Sequence, residues 1–347
     1  MHVLNLAPAA AKNPDAERIL GCLFGGAVGD AFGYEVEFDD LPAIRRRFGS
    51  AGITAPVFDQ GRFIVSDDTQ MTLFTGESVA AALAAGETAD DRIIPAIRAG
   101  YLTWLETQTR GAQGCGAFED VRRFRTLWAR RAPGNTCQSA LQAGGRGTPK
   151  SPINNSKGCG GVMRVAPIGL ARAIDADGAY HLAGAAAALT HGHPSGYLSA
   201  AALGGIIRDL LDGDDLSASL RNARTRLEHS PDHAETLRAV DAAVRLAGAK
   251  TPPTYAFKSL GEGWVGGEAL AIAIYAALSA SSFTELVQIA ANHDGDSDST
   301  ASIAGQIWGA RHGLRGIPNA WIRRLDVFDP VCHVASRLLA QVVSRVA

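Results

Sequence analysis

The sequence predicts an all-α fold, and three observations support that prediction. Eleven segments between residues 16 and 312 carry apolar residues at three- and four-residue spacing, which is the period of an amphipathic helix. Alanine, the residue with the highest helix propensity, is abundant inside these segments. Alternating strand patterns are nearly absent, since the best candidate, Phe63-Ile64-Val65, is only three residues long.

The predicted helices follow one another along most of the chain. Three of them have a capping signal at their start: Asp15 before the first, Pro194-Ser195 before the sixth and Ser282 before the tenth. The longest apolar stretch, residues 269–280, is shorter than the ~20 residues that cross a bilayer, so it is interpreted as a buried helix. In chain order the segments are 16–32, 71–85, 93–107, 162–173, 180–189, 197–211, 216–227, 234–246, 268–280, 283–291 and 301–312.

The chain is expected to form a single domain, residues 15–347, preceded by a flexible arm, residues 1–14. Hydrophobic residues make up 46% and charged residues 20% of the 347 positions, which is sufficient for a packed core. The segment 144–155 is rich in glycine, proline and serine, but it runs directly into a glycine loop. It is therefore interpreted as part of a site rather than a domain boundary.

Composition excludes several classes of function. The 33 Lys and Arg residues against 35 Asp and Glu residues leave a formal net charge of −2, so no nucleic-acid footprint is expected. Five scattered cysteines without a CxxC pair predict neither a zinc knuckle nor a disulfide framework. The first residues lack the basic and apolar regions of a secretory signal. We therefore expect a cytoplasmic protein that does not associate with membranes.

Two short acidic clusters are the strongest chemical signal: SDDT at 66–69 and DGDSDST at 294–300. Each lies where a loop meets a predicted helix, and a single aspartate there would simply cap the helix. Four or five carboxylates in two compact turns would repel one another without a cation, and hard divalent cations prefer oxygen ligands. The clusters therefore predict a site for two Mg²⁺ ions. The second one lacks the glycine and the distal glutamate of an EF-hand.

Further candidate residues lie in loops. Glu37 follows a glycine turn at the end of the first helix, where it is either a base or gate of the site or an exposed glutamate. The segment NNSKGCGGVMR, 154–164, opens a predicted helix, so it is either an anion site for a diphosphate or a tight packing turn. It matches neither a Walker loop nor a Rossmann fingerprint.

Two more loops carry aromatic or imidazole side chains. The pair His191 and His193 lacks the further ligands that zinc needs, so a histidine that binds a ribose hydroxyl or a phosphate is the better interpretation, with an ordinary loop histidine as the alternative. Trp264, between glycines, either lines a pocket or anchors the start of a helix.

Taken together and in this order, six segments resemble the ADP-ribosylglycohydrolase family, of the dinitrogenase-reductase-activating glycohydrolase or ADP-ribosylarginine hydrolase type. They are GCLFGGAVGDAFGYEVEF (21–38), SDDTQMTL (66–73), NNSKGCGGVMRVAPIGL (154–170), LTHGHPSGY (189–197), GEGWVGGEALAIAIYAAL (261–278) and NHDGDSDSTASIAGQIWGA (292–310). The resemblance implies a compact orthogonal helix bundle with a binuclear magnesium centre in a cleft, with Mn²⁺ as an alternative ion.

The resemblance also implies roles for individual residues. Ser66 stands where the family often has threonine, and Asp294 where relatives commonly have a small residue. The implied metal ligands are Ser66, Asp67, Asp68, Asp296, Asp298 and Ser299. The implied catalytic residues are Glu37, Asp67, Asp68 and Asp298. The implied substrate-binding residues are Asn154, Asn155, Ser156, Lys157, Gly158, Cys159, Gly160, Gly161, Met163, His191 and Trp264.

The implied activity is hydrolysis of the N-glycosidic bond between ADP-ribose and a protein side chain. The DSDST and SKGCG segments resemble the arginine-specific branch more than the others. The implied partners are an ADP-ribosylated protein substrate and an ADP-ribosylating toxin or transferase. Two alternatives stay open: an ADP-ribose-binding or toxin-neutralising protein that acts without turnover, and a magnesium-dependent phosphohydrolase on another helical fold.

Overall fold

The structure, a computed structural model, describes residues 13–88 and 90–343. Of these described residues, 68% are helical, and the only β pairing among them consists of isolated bridges. The same ranges contain five short 3-10 helices, at Gly111–Gly114, Val121–Arg123, Arg125–Trp128, Cys159–Gly161 and Leu314–Gly316. The described α-helices are α1 Pro14–Tyr34, α2 Leu41–Phe48, α3 Asp67–Ala84, α4 Asp90–Arg110, α5 Asn135–Gln142, α6 Ala166–Gly169, α7 Ala176–Ala188, α8 Pro194–Asp212, α9 Leu216–Glu228, α10 Ala234–Gly248, α11 Pro253–Leu260, α12 Gly266–Ser279, α13 Phe283–Ala291, α14 Ser297–His312, α15 Asn319–Ile322 and α16 Phe328–Val343.

The prediction of an all-α fold is confirmed. Ten of the eleven predicted segments coincide with helices within four residues at each end. The strand candidate 63–65 is wrong, because Phe63 only makes an isolated bridge with Leu325. The helices α2, α5, α11, α15 and α16 were not predicted.

The predicted helix over 162–173 is also wrong. Only Ala166–Gly169 is α-helical there, after a 3-10 turn at Cys159–Gly161. Val162, Val165 and Ile168 are all fully buried because the segment crosses the core. Its apolar spacing therefore reflects burial on all sides rather than one face of a helix. As a consequence, the glycine loop does not lead into a long helix.

The first residues of the observed helices show that two of the three capping predictions are wrong. Asn13 rather than Asp15 caps α1, its side chain accepting from the backbone N–H of Asp15 at 3.0 Å. The helix α8 begins at Pro194 itself, with His193 as its cap. Ser282 does cap α13, as predicted. Residues 13 and 14 thus belong to the first helix, and the remainder of the predicted arm, residues 1–12, lies outside the described residues.

The helices α1 and α14 form a seam in which backbone lies directly on backbone. The seam residues of α1 are four apart, and each faces a carbonyl oxygen of α14 across the seam. A Cβ atom at Gly29 would lie 2.0 Å from the oxygen of Ala301, and one at Gly33 would lie 2.1 Å from that of Ser297. Only glycine permits so close an approach. The four seam residues of α1 are Gly21, Gly25, Gly29 and Gly33.

No helix in the described ranges is long and apolar enough to cross a membrane. The core instead runs through the middle of the bundle, where α8, α12 and α14 are buried along almost their whole length.

Replacing Thr236 on α10 by valine is expected to stabilise the protein by about 1 kcal/mol. The Thr236 hydroxyl is buried without a hydrogen-bond partner, and a valine of the same shape removes that unsatisfied group. Urea-induced unfolding would measure the change. A lower midpoint in Thr236→Val than in the natural protein would contradict this assignment.

Candidate active site

The two acidic clusters meet at one cleft of about 640 Å³, although Asp68 and Asp296 are 228 residues apart in the sequence. Asp67 and Asp68 lie in the first turn of α3, while Asp296 caps α14 and Asp298 lies in its first turn. Glu37, from the loop that follows α1, lines the same cleft. The structure therefore brings together the five acidic residues to which the resemblance gives a role, whereas Asp294 of the second cluster is exposed and does not line the cleft.

The first cluster is held in place by Asp30 of α1, a residue that the sequence analysis did not assign to the site. Its buried carboxylate accepts from the backbone N–H of Ser66 at 2.9 Å and from that of Thr69 at 3.0 Å. The Thr69 hydroxyl donates to it as well. Ser66 in turn caps α3, its hydroxyl accepting from the N–H of Asp68 at 3.1 Å. The last turns of α1 thus determine where the start of α3 lies.

The second cluster is joined to the glycine loop by a thiol. One oxygen of Asp296 accepts from the backbone N–H of Ser299 at 3.3 Å, which caps α14. Its other oxygen accepts from Cys159 Sγ at 2.6 Å. Burial and the charge of Asp296 raise the pKa of the Cys159 thiol well above its usual range, so it keeps its proton and donates. The loop and the acidic turn therefore share one wall of the cleft.

The negative charges of the cleft carboxylates repel one another. Burial, reinforced by the charge of Asp298, raises the pKa of Asp30 to about 7 and that of Glu37 to about 10. The same two causes raise the pKa of the other cluster acids well above their usual range, namely Asp67, Asp68 and Asp296. The cleft therefore favours a positive counter-charge, which protons or cations can supply.

Two carboxylate oxygens in the cleft, Glu37 Oε2 and Asp68 Oδ2, are buried without a hydrogen-bond partner. Such an orphaned atom costs about 1–3 kcal/mol of folding free energy unless something else binds it. A hard divalent cation fits this chemistry, because the cluster side chains that line the cleft offer only oxygen. Across residues 13–88 and 90–343, no three His, Cys, Asp or Glu side chains already form a metal-binding group, so binding would require side-chain adjustment.

Some of the remaining predicted site residues line the cleft, and the others lie behind its walls or on the nearby surface. Ser299 lines the cleft, whereas Ser66 is buried beneath it as the cap of α3. Six of the eleven predicted substrate-binding residues line the cleft: Gly158, Cys159, Gly160, Met163, His191 and Trp264. The other five do not: Asn154, Asn155, Ser156, Lys157 and Gly161.

These five residues shape the loop or its surface. The side chain of Asn154 accepts from the N–H of Gly192 at 3.1 Å and donates to the Thr190 carbonyl at 2.8 Å, which ties the two loops together. Lys157 points outward, where it pairs with Glu235 at 2.8 Å. Asn155 is exposed, Ser156 is half-buried and Gly161 is buried against the Gly196 backbone.

Sequence reasoning missed the opposite wall of the cleft. It is formed by seven of the residues 130–137, which include the loop before α5 and its first turn, and by Phe38 beside Glu37. The backbone N–H of Gly134 donates to Asp67 at 3.3 Å, and that of Asp67 donates to the Arg131 carbonyl at 2.9 Å. A Pro-Gly-Asn-Thr turn at 133–136 was the available signal, but it carries no side chain of obvious chemistry.

The fold and the cleft define a class of protein: an all-α protein with a cleft lined by carboxylates, the kind of side chain that glycoside hydrolysis uses. Comparison with known proteins makes the class specific. The ADP-ribosylglycohydrolase family matches residues 11–346. The chain therefore belongs to the ADP-ribosylglycohydrolase family, as the sequence resemblance indicated. It is a glycohydrolase of the ADP-ribosyl type, and its substrate class is an ADP-ribosylated protein.

Individual relatives agree with this assignment. The chain is 25% identical over 321 residues to the ADP-ribosyl-[dinitrogen reductase] glycohydrolase of Rhodospirillum rubrum, covering 90% of this chain and 91% of that protein. It is 27% identical over 336 residues to the uncharacterized protein YegU of Escherichia coli strain K12, covering 90% and 93%. A solved structure titled "ADP-ribosylglycohydrolase-related protein complex" superposes with a TM-score of 0.64 at 25% identity, covering 95% of this chain and 99% of that one.

Proposed function

We propose that this protein is a magnesium-dependent hydrolase that removes ADP-ribose from arginine side chains and so reverses mono-ADP-ribosylation. One observation carries the proposal: the buried, unpartnered oxygens of Glu37 and Asp68 in a cleft that both acidic turns share. A protein that only holds ADP-ribose, itself an anion, gains nothing from a buried cluster of carboxylates. Such a cluster is useful to an enzyme that binds cations and stabilises positive charge on a ribose.

The proposed metal ligands are the oxygen side chains at the two helix starts. Five of them line the cleft: Asp67, Asp68, Asp296, Asp298 and Ser299. The hydroxyl of Ser66 would become available only if it released the backbone N–H of Asp68. Bound Mg²⁺ supplies Lewis-acid stabilisation of negative charge and lowers the pKa of a water, and Mn²⁺ takes the same oxygen ligands.

The side chains of the cleft carry the rest of the reaction. Breaking the bond between ribose C1″ and the guanidinium nitrogen builds oxocarbenium character on the ribose, which nearby carboxylates stabilise. A carboxylate also takes one proton of the attacking water, whose oxygen bonds to C1″ while the guanidine leaves with the electron pair of the broken C–N bond. Five carboxylates line the cleft, and four of them are the proposed catalytic residues: Glu37, Asp67, Asp68 and Asp298. The backbone of Gly158 and Gly160 leaves room for the diphosphate beside them.

The arginine preference rests on the DSDST and SKGCG segments. The Rhodospirillum rubrum relative, whose name describes ADP-ribosyl-[dinitrogen reductase] as its substrate, supports a protein rather than a particular side chain as the carrier of ADP-ribose. Within the same proposal, the protein works in the cytoplasm, and an ADP-ribosylating toxin or transferase is the enzyme whose product it hydrolyses. The five described cysteines are free thiols, in accord with a reducing compartment.

A parallel assay of three linkages tests the proposed specificity. Proteins or nucleic acids carrying ADP-ribose on arginine, on serine or on a nucleic-acid end would be incubated with enzyme and Mg²⁺, and free ADP-ribose would be measured. The arginine linkage is expected to be cleaved fastest. Faster cleavage of serine would overturn the acceptor, and phosphate release from nucleotides without any ADP-ribose release would select a phosphohydrolase instead.

Saturating Mg²⁺ is expected to raise the melting temperature by a few degrees. A ligand at 100 times its dissociation constant stabilises the folded state by about 2.7 kcal/mol, and here it would also relieve the repulsion among the acids. Differential scanning fluorimetry with Mg²⁺, Mn²⁺ or EDTA would show the shift, and EDTA should abolish activity reversibly. Identical melting curves at all cation concentrations would contradict the predicted site.

A further inference from the structure

A buried arginine is connected to the cleft by hydrogen bonds that run through a threonine to a histidine. Arg164 is fully buried, and its guanidinium lies over the ring of Tyr101 at 4.2 Å from the centroid. Its Nη2 donates to Thr190 Oγ1 at 2.7 Å and to the Ala186 carbonyl at 3.3 Å. Thr190 Oγ1 lies 2.8 Å from His191 Nδ1. The three side chains thus form a chain that ends at the cleft-lining histidine.

The direction of these hydrogen bonds follows from the chemistry of the groups. Arginine has only donors, so the Thr190 oxygen accepts from Arg164. The single hydroxyl proton of Thr190 then has two acceptors within reach: His191 Nδ1 at 2.8 Å and the Ala187 carbonyl at 3.4 Å. The shorter contact is the stronger one, so Nδ1 accepts. A neutral imidazole with an accepting Nδ1 carries its proton on Nε2.

The other nitrogen of His191 faces the glycine loop. A Cβ atom at Gly160 would lie 3.2 Å from Nε2, and one at Gly158 would lie 3.5 Å from it. Both glycines line the cleft with His191. Burial, and secondarily the charge of Arg164, lower the pKa of His191 to about 3, so the ring stays neutral at physiological pH.

We propose that Arg164 and Thr190 are positioning residues that fix His191 as the Nε2–H tautomer, so that the cleft presents a neutral hydrogen-bond donor beside the glycine loop to an acceptor oxygen of the ligand. Neither Arg164 nor Thr190 lines the cleft, so both act through the histidine. Only the identity of the ligand, ADP-ribose, rests on the proposed function. The tautomer is a property of the protein alone.

Nitrogen-15 NMR of histidine-labelled protein tests the tautomer directly, because protonated and unprotonated ring nitrogens have well-separated shifts. The natural protein is expected to show His191 protonated at Nε2 at neutral pH. Thr190→Val, which removes the hydroxyl without changing the shape, should mix or invert the tautomers, and Thr190→Ser should restore the original spectrum. The control is Thr236→Val, the same chemical change at a buried threonine outside the cleft, which should leave the His191 signals unchanged.

Binding of ADP-ribose supplies the second readout. We expect Thr190→Val to weaken ADP-ribose binding about tenfold, the equivalent of one hydrogen bond, with Thr190→Ser and Thr236→Val close to the natural protein. A proton on Nδ1 in the natural protein, or an unchanged tautomer in folded Thr190→Val, would overturn the inference. If the natural protein bound no ADP-ribose, the proposed function would fail, while the NMR spectrum would still decide the tautomer.

Discussion

Replacing Gly29 by alanine is expected to destabilise the domain by about 3 kcal/mol or more, a large fraction of the roughly 5–15 kcal/mol that typically holds a protein folded. The added Cβ would lie 2.0 Å from the Ala301 carbonyl oxygen and 2.6 Å from its carbon, and both are backbone atoms that no rotamer change can move. An extra carbon atom in a well-packed core typically costs about 1–3 kcal/mol and occasionally more, and a contact between two backbones leaves little room for relaxation. Neighbouring glycines make the seam equally tight on both sides of this residue.

A matched alanine substitution makes the comparison clean. Gly248, the last residue of α10, has no neighbouring heavy atom within 4 Å of the position its Cβ would take. Gly248→Ala should therefore be neutral or stabilise the protein by up to about 1 kcal/mol, since alanine restricts the unfolded chain. Urea unfolding of both variants would measure the difference. A Gly29→Ala protein as stable as Gly248→Ala would contradict the packing described here.

The seam also positions the active site. Asp30 lies next to Gly29 on α1, and Asp298 lies next to Ser297, which faces Gly33 across the seam. A shift of α1 relative to α14 would separate the two acidic turns, because Asp30 holds the start of α3. Any Gly29→Ala protein that does fold is therefore expected to lose its thermal response to Mg²⁺.

Asp298→Asn is expected to abolish release of ADP-ribose from ADP-ribosyl-arginine protein, with activity falling by well over about 100-fold. Mutating a residue that only hydrogen-bonds to a metal ligand already lowers metal affinity or activity by about 10–100-fold, so losing a ligand itself should lower it more. Asp298 lies in the first turn of α14, buried and facing the cleft. Its charge is the largest neighbouring influence on Asp67, Asp68 and Asp296, which places it at the electrostatic centre of the cluster. Asparagine keeps the shape and removes the charge. Asp67→Ala is expected to have the same effect.

The matched control is Asp294→Asn, the same chemical change four residues earlier. Asp294 is exposed and accepts from the backbone N–H of Leu41 at 2.7 Å, which an amide oxygen can continue to do. This variant should retain nearly full activity and Mg²⁺ response. The initial rate of ADP-ribose release, measured alongside the melting temperature, separates lost chemistry from lost folding. Turnover at the natural rate in Asp298→Asn would refute its assignment as a ligand.

Much of the fold was predictable because apolar residues at helical spacing mark the helices that bury one face, such as α4 and α10, as well as those buried on nearly all sides, such as α8 and α14. The helices that were missed have weaker or interrupted signals. The short helix α2 buries only Ile44, and its signals are the cap Asp40 and Pro42 in its first turn. In α16, Pro330 interrupts the pattern, yet it lies in the first turn, where the helix needs no N–H. The cap and the position of proline identify α2, whereas α16 also has buried apolar residues at helical spacing, Val331, Val334, Ala335 and Leu338.

The candidate site was predictable only where its chemistry is local in sequence. The clusters at 66–69 and 294–300 are recognisable by their density of acidic residues, but nothing in the sequence shows that they lie at one cleft. Asp30 illustrates the limit: its partners Ser66 and Thr69 lie 36 and 39 residues away, and no short pattern links them. The wall at 130–137 carries no acidic side chain, so it lacks the charge density that marks the two clusters.

The most direct test is a time course at substoichiometric enzyme with ADP-ribosyl-arginine protein in excess, with and without Mg²⁺. Many molecules of free ADP-ribose per enzyme should accumulate when the ion is present, and none after chelation with EDTA. ADP-ribose that stays bound at one per protein, or release that continues unchanged in EDTA, would contradict a carboxylate-held metal centre as the source of the activity.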